Sequence, residues 1–297
     1  MPIASISLDF DPIVRIGDTA VRLETLAQAG AIFVALLLGA AIATRTPVAE
    51  PAYGASASDH LRLDDFLFVV LGIVPGAVIL GRLGYVLLHL DYYAASPTSI
   101  IDPGQGSLEL GLAVTGGFLT GTYVAGLLEG PIGRWLHIAA IPVLVGLALG
   151  KAAMALGGDG QGALTDVAWA TAYTGPGPWA SLGPGLAAHP SQLYEALVTL
   201  LVLALVLAIS RAGPLARRDG RIFFVAIALW AVGRTLVGTT WRDAEVAGPL
   251  RAGQLVGLGL VLVFGFMAIA GPFLARRIGG ARRAEPHWPD PQTRPPF

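Results

Sequence analysis

Seven apolar stretches punctuate this chain, at roughly 28–44, 66–90, 109–128, 135–156, 194–210, 221–240 and 252–275. A hydrocarbon core is crossed by about 20 apolar residues of helix, so the pattern predicts an all-α integral membrane protein with about seven transmembrane helices. The polar intervals are of two kinds. Segment 46–65, broken by Pro47 and Pro51, and segment 91–108, with Tyr92 and Tyr93 placed as interfacial aromatics, read as plain connections. Segment 157–188 is dense in Gly and Pro yet carries Trp169, Tyr173 and Trp179. A connection of that length is commonly functional or disordered, and it is expected to form an arm or lid in the headgroup layer of the outer leaflet. Residues 1–27 are expected as an outer N-terminal arm and 28–275 as one seven-span domain. Residues 276–297 are expected as a disordered cytoplasmic tail, because five prolines and little apolar content follow residue 284.

Composition agrees with a membrane class: 54% of residues are hydrophobic, 13% are charged, and mean hydropathy is +0.67. Basic residues set the expected orientation, since Lys and Arg near span ends are retained on the cytoplasmic side. Arg45, Arg62, Arg134, Arg211, Arg217, Arg218, Arg221 and five tail arginines fall on one side, against Arg15, Arg22, Arg242 and Arg251 on the other. That bias predicts an outside N-terminus and a cytoplasmic C-terminus. Residues 1–27 carry Asp9, Asp11, Asp18 and Glu24 and lack the basic and apolar regions of a cleavable signal, so the first span is read as its own insertion signal. Cysteine is absent, which leaves no disulfide, thiolate metal site or catalytic thiol, and any thiol must come with a substrate. The net charge of −1 argues against a nucleic-acid partner. No His/Asp/Glu spacing suggests a metal, and no cofactor is expected. His60, His89, His137 and His287 read as solvated or interfacial residues.

Three basic residues lie inside the spans: Arg82, Lys151 and Arg234. An ionisable group at the centre of a transmembrane helix is costly, about 2.5–3.5 kcal/mol on insertion scales, and marks a functional site by default. At about 1.5 Å per residue, the three fall roughly 8–12 Å below the outer ends of their spans, in one slab. Cations gathered there suit a phospholipid phosphate whose acyl chains stay in hydrocarbon. The bland alternative is snorkelling, each side chain reaching separately for nearby headgroups.

The densest chemistry lies at His189-Pro190-Ser191-Gln192-Leu193-Tyr194-Glu195, where the Gly/Pro-rich loop gives way to an apolar helix. Pro190 forces an extended conformation on His189 and fits a first helical turn. Free N–H groups at such a start favour anions. Gln192, Glu195 and Thr199 share one helix face and are expected to point into the bundle. For Ser191 and Tyr194 a purely capping role is the competing reading.

This heptad resembles the signature of the prolipoprotein diacylglyceryl transferase family, and further segments resemble it in the same order. They are Asp11 to Gly17, Gly81 to Leu87 around Arg82, Gly116-Gly117, Gly150-Lys151 through Gly162, Gly233-Arg234 and Gly253-Gln254. The resemblance implies a multi-pass enzyme of the bacterial cytoplasmic membrane. Such an enzyme moves diacylglyceryl from phosphatidylglycerol to the thiol of a lipobox cysteine in a preprotein. It further implies that Arg234 and Lys151 hold phosphate, and that Arg82, Thr115, Gly162, Ser191, Gln192 and Tyr194 lie around the lipid headgroup.

The chain departs from the family pattern in its third span, where Thr115 stands for a histidine. Lys151 stands for an arginine and lacks its bidentate fork. Met154 replaces an asparagine, Asp159 lies near a family glutamate, Glu24 near a tyrosine, and Gly238 near another glutamate. Either Glu24, Asp159, Glu195 or His189 then serves as base, or the chain is a non-catalytic relative that binds phospholipid or joins a membrane complex. A small-solute transporter is a third reading, opposed by the lack of an internal repeat.

Overall fold

The computed structural model describes residues 5–48, 60–102, 104–211, 215 and 217–283, with side chains described as far as 271. Seven of its helices are long and apolar enough to cross a membrane. They are α1 (Leu23–Ala43), α2 (Leu63–Leu88), α4 (Leu110–Leu127), α5 (Ile132–Met154), α6 (Ser191–Ile209), α7 (Arg221–Val237) and α8 (Ala252–Arg283), with a short α3 (Leu90–Ala95) after α2. The chain is thus a multi-pass helical membrane protein.

Four of these helices begin three to five residues before the apolar windows that announced them. The added turns carry polar or charged groups, such as Glu24, Asp64, Asp65, Arg134, Ser191 and Gln192. A hydropathy window omits such residues although the helical backbone continues through them. At the other end of the chain α8 runs on to Arg283. The first eight residues of the expected tail are therefore helical, and 284–297 lie outside the described residues, as do most of the polar residues of the α1–α2 connection.

Why the helices pack as they do follows from side-chain size. One apolar core gathers Leu144, Val206, Ile222, Ile227, Trp230 and Phe264, joining α5, α6, α7 and α8. A second joins α1, α2 and α5 around Ala43, Leu61, Trp135 and Ile138. Leu71, Ile79, Leu201, Leu262 and Ile269 remain largely exposed on the outside of the bundle, as expected of side chains solvated by lipid. Helices α2 and α4 meet through glycine. A Cβ on Gly116 would overlap the carbonyl of Gly76, and one on Gly76 would overlap the carbonyl of Gly116. Small residues that let backbones approach are the usual glue between membrane helices.

Short strands build a small head at the end of the bundle that carries the 157–190 loop. Strand β1 (Ile6–Leu8) pairs in parallel with β4 (Thr171–Tyr173), so the N-terminal segment is tied to that loop. Strands β2 (Ile13–Ile16) and β3 (Thr19–Arg22) form a hairpin closed by Gly17 at φ +60°, and β5 (Glu245–Ala247) pairs with β6 (Leu250–Arg251). None of these strands was anticipated from the sequence. Each has two to four residues, too few for an alternation to be read.

Gly116→Ala should lower stability in detergent by about 1–3 kcal/mol, the range for overpacking a close contact. Gly150→Ala, whose added methyl meets nothing within 4 Å, should be neutral or slightly stabilising. Thermal unfolding followed by circular dichroism measures both, and equal melting temperatures would contradict the packing described.

Candidate functional site

The head end of the bundle contains a chain of buried charges drawn from four helices. Lys151, in the last turn of α5, places Nζ 2.7 Å from Oε2 of Glu195 on α6. Arg234, in the last turn of α7, lies 3.5 Å from the other Glu195 oxygen and donates at 3.0 Å to Oε1 of Glu109, the residue that caps α4. The second Glu109 oxygen accepts from the Leu112 backbone N–H at 2.6 Å. Glu195 is 3% exposed and Glu109 5% exposed, so neither charge could be held there without its partners. Both cations also face aromatic rings, Lys151 over Trp241 at 4.9 Å and Arg234 over Trp230 at 5.8 Å.

Two cations and two carboxylates make this cluster neutral. Even so, Nε of Arg234 is buried with no hydrogen-bond partner, and its Nη1 meets Glu195 as an ion pair at 3.5 Å without a hydrogen bond. A cavity of about 100 Å³ opens beside Glu195 and Arg234, walled by Gly238, Trp241, Arg251 and Gln254. Gly238 has a role in that wall, since a Cβ there would press within 2.6 Å of the Gln254 side chain. Arg251 is held by the carbonyls of Asp243, Gly238 and Thr239.

The structure brings together only some of the residues expected from sequence. Lys151, Arg234 and Glu195 meet. Arg82 does not join them: its guanidinium donates to the carbonyls of Ser99, Ile100, Asp102, Gln105 and Ser107 and lies over the Tyr93 ring. The expected trio of cations is therefore a pair, with Arg82 spent on folding the α2–α4 connection. The reason is azimuthal, since counting along helices fixes depth but not direction.

His189 and Tyr194 lie aside from the ion chain, with His189 Nδ1 3.3 Å from the Tyr194 hydroxyl, which also accepts from Trp169 Nε1 at 2.6 Å. Ser191 is fully buried and its Oγ is 2.7 Å from Thr240 Oγ1. Gly162 is required there, because a Cβ would overlap Ser191 Oγ and the Thr240 carbonyl. Gln192 donates to the Tyr173 hydroxyl at 3.2 Å, and that hydroxyl donates to the Ala155 carbonyl at 2.9 Å. Burial pushes the Tyr173 phenol up to about 12, so it remains a neutral donor at any physiological pH. These contacts clasp the loop to the ends of α5 and α6.

Thr115 gives its hydroxyl proton to the Gly111 carbonyl one turn back. Asp159 accepts from the Gly160 N–H, and Glu24 from Gln28 and Arg22. Met154 packs near Gly160 rather than presenting a polar group. Among the described residues, no group of three His, Asp or Glu side chains is placed to hold a metal.

Sequence reasoning missed Glu109, Trp241, Asp243 and Arg251. Glu109 left one signal: it is an acid directly ahead of an apolar run, the position that caps a helix and answers its dipole. The others lie in a connection without periodicity.

The family model of prolipoprotein diacylglyceryl transferase matches residues 12–270. A protein of Rhizobium leguminosarum bv. trifolii, named phosphatidylglycerol–prolipoprotein diacylglyceryl transferase, is 35% identical over 265 residues, which is 86% of this chain and 87% of that protein. Proteins of the same name from Geobacter sulfurreducens and Trichormus variabilis are 32% and 28% identical, covering 70% and 93% of this chain and 79% and 95% of their own lengths. The match covers α1 to α7 and α8 as far as residue 270, a range that holds the four residues of the ion chain. The protein therefore belongs to the prolipoprotein diacylglyceryl transferase family.

Proposed function

We propose that this chain transfers diacylglyceryl from phosphatidylglycerol to a lipobox cysteine of a preprotein, in a bacterial cytoplasmic membrane, with its head on the outer side and its C-terminus in the cytoplasm. The orientation is supported by the arginine bias between the two sets of connections. The activity is supported by the relatives' names and by one observation above others, the Lys151–Glu195–Arg234 arrangement beside a cavity at the head end.

In this reading the phosphate of phosphatidylglycerol lies against Arg234 and Lys151. The cysteine sulfur attacks the terminal glyceryl carbon; an S–C bond forms, the C–O bond to phosphate breaks, and glycerol phosphate leaves. Cations aimed at the leaving phosphate stabilise the charge that develops there. Glu195 is the base favoured among the candidates, because it alone touches both cations. On accepting the thiol proton it becomes neutral, and its hold on Lys151 and Arg234 passes to the phosphate. In this reading Asp159 and His189 have structural roles, and Thr115, standing for a family histidine, supplies no base. Glu109 keeps Arg234 aimed. The 157–188 segment serves as an arm over the site.

A second reading, a non-catalytic lipid-binding relative, is favoured by the neutral Thr115 and its committed hydroxyl. Incubation of the purified protein with phosphatidylglycerol and a lipobox peptide separates the two. The expected result is a diacylglyceryl mass addition on the cysteine; bound lipid without that product would establish the second reading.

Two substitutions refine the test. Arg234→Ala should weaken phosphatidylglycerol binding about tenfold or more in native mass spectrometry, the loss expected for a charge-assisted contact, and unchanged binding would contradict the phosphate assignment. Glu195→Gln should keep or tighten lipid binding while slowing transfer roughly 10²–10⁴-fold, the range for a lost general base. Full activity in that variant would move the base elsewhere.

A further inference from the structure

A further cavity lies at the opposite end of the bundle and has no part in the chemistry above. It encloses about 150 Å³ among His137, Ile138 and Ile141 of α5, Thr46 after α1, Ser210 after α6 and Arg218 before α7. An apolar cavity of about that size accepts a molecule such as benzene. This one is two-sided: isoleucines form its floor, while an imidazole and a guanidinium stand at its polar side.

Its polar side is only partly engaged, the His137 ring bonding the Arg217 backbone through one nitrogen. His137 Nδ1 is buried without a hydrogen-bond partner. Arg218 is exposed, lies within electrostatic reach of that ring, and makes no ion pair among the described residues. The Thr46 and Ser210 hydroxyls already donate to the Ile42 and Leu207 carbonyls, so they can only accept. Among the described residues, no carboxylate lines the cavity. The nearby Asp219 is engaged with the Arg221 side chain at 3.6 Å and the Arg221 N–H at 3.1 Å. The contrast with the head-end cavity is plain, since that one is walled in part by Glu195 and Asp243.

We propose that this cavity holds the phosphodiester headgroup of an anionic phospholipid from the leaflet opposite the Lys151–Arg234 site. Phosphate oxygens meet Arg218 and Nδ1 of His137, which takes up a proton from solvent as the anion binds and so becomes a donor, and the start of an acyl chain lies over Ile42, Ile138 and Ile141. The position supports a lipid over a dissolved anion. Thr46 and Ser210 follow the ends of their helices and Arg218 precedes α7, so the cavity spans the boundary where headgroups give way to hydrocarbon. A phosphate held there by Arg and His gains charge-assisted bonds in a partly desolvated setting.

The test uses the full chain in nanodiscs containing a photoreactive phosphatidylglycerol, with cross-linked peptides mapped by mass spectrometry. Cross-links are expected on segments 42–46, 137–141 and 206–222, falling about tenfold in Arg218→Ala and in His137→Leu. Cross-links near Trp241 should stay unchanged in both variants, which separates this proposal from the head-end assignment. Arg218 is exposed, so its variant tests the contact with packing intact; melting temperatures in phosphatidylcholine nanodiscs equal to the parent's verify this. Equal labelling of the variants overturns the proposal. So does equal labelling by photoreactive phosphatidylcholine, which would mean a non-selective lipid groove, or displacement by millimolar inorganic phosphate, which would mean a dissolved-anion site.

Discussion

The head end of this protein depends on one constraint: Glu195 is buried between two cations that come from other helices. A carboxylate taken out of water loses several kcal/mol of hydration even after relaxation, and that loss is recovered only if Lys151 and Arg234 arrive with the right geometry. Their arrival fixes α5 and α7 against α6. Arg234 then requires Glu109, whose other oxygen caps α4, so a fourth helix is set by the same chain of charge. Opposite charges at hydrogen-bond distance attract far more strongly here than in bulk water, which lets a few side chains position elements that lipid-solvated leucines could not orient.

Around that chain the backbone is arranged to free or occupy specific groups. Gly162 admits Ser191 and the Thr240 carbonyl to one another, and the Tyr173–Gln192 contact ties the loop to two helix ends. Arg82 shows the alternative fate of a cation near the interface. Five carbonyls of a connection that forms no regular ladder converge on one guanidinium, satisfying acceptors that would otherwise lie unpaired near hydrocarbon. The same residue type thus answers buried carboxylates in α7 and loop carbonyls in α2.

This difference marks the limit of what was legible beforehand. The spans were legible because hydropathy is a property of local sequence, and the ends erred where polar residues begin a helix or, in α8, continue it. Lys151, Arg234 and Glu195 stood out because charge is rare in such spans. Their partners did not: Glu109 is one acid ahead of an apolar run, and its pairing with Arg234 crosses 125 positions of chain. Nor could depth along separate helices show that Arg82 is taken up by loop carbonyls. The strands of the head were hidden for a related reason, since β1 finds β4 across more than 160 residues and neither carries a period of its own.

The two cavities illustrate how charge balance separates passage from retention. A pocket that must release an anionic product gains by carrying its own carboxylates. They compete with the product for the same cations, so ground-state binding stays weak while transition-state charge is still stabilised. In the proposed reaction Glu195 and Glu109 would supply that competition at the head end. The opposite cavity has an imidazole nitrogen and a guanidinium with no acid among its walls, an arrangement that favours tight holding and nothing that would speed release. A lipid retained there would seal α1, α5, α6 and α7 at the end remote from the chemistry. The rigidity that keeps Lys151 and Arg234 in place would then be supplied from both ends of the same helices.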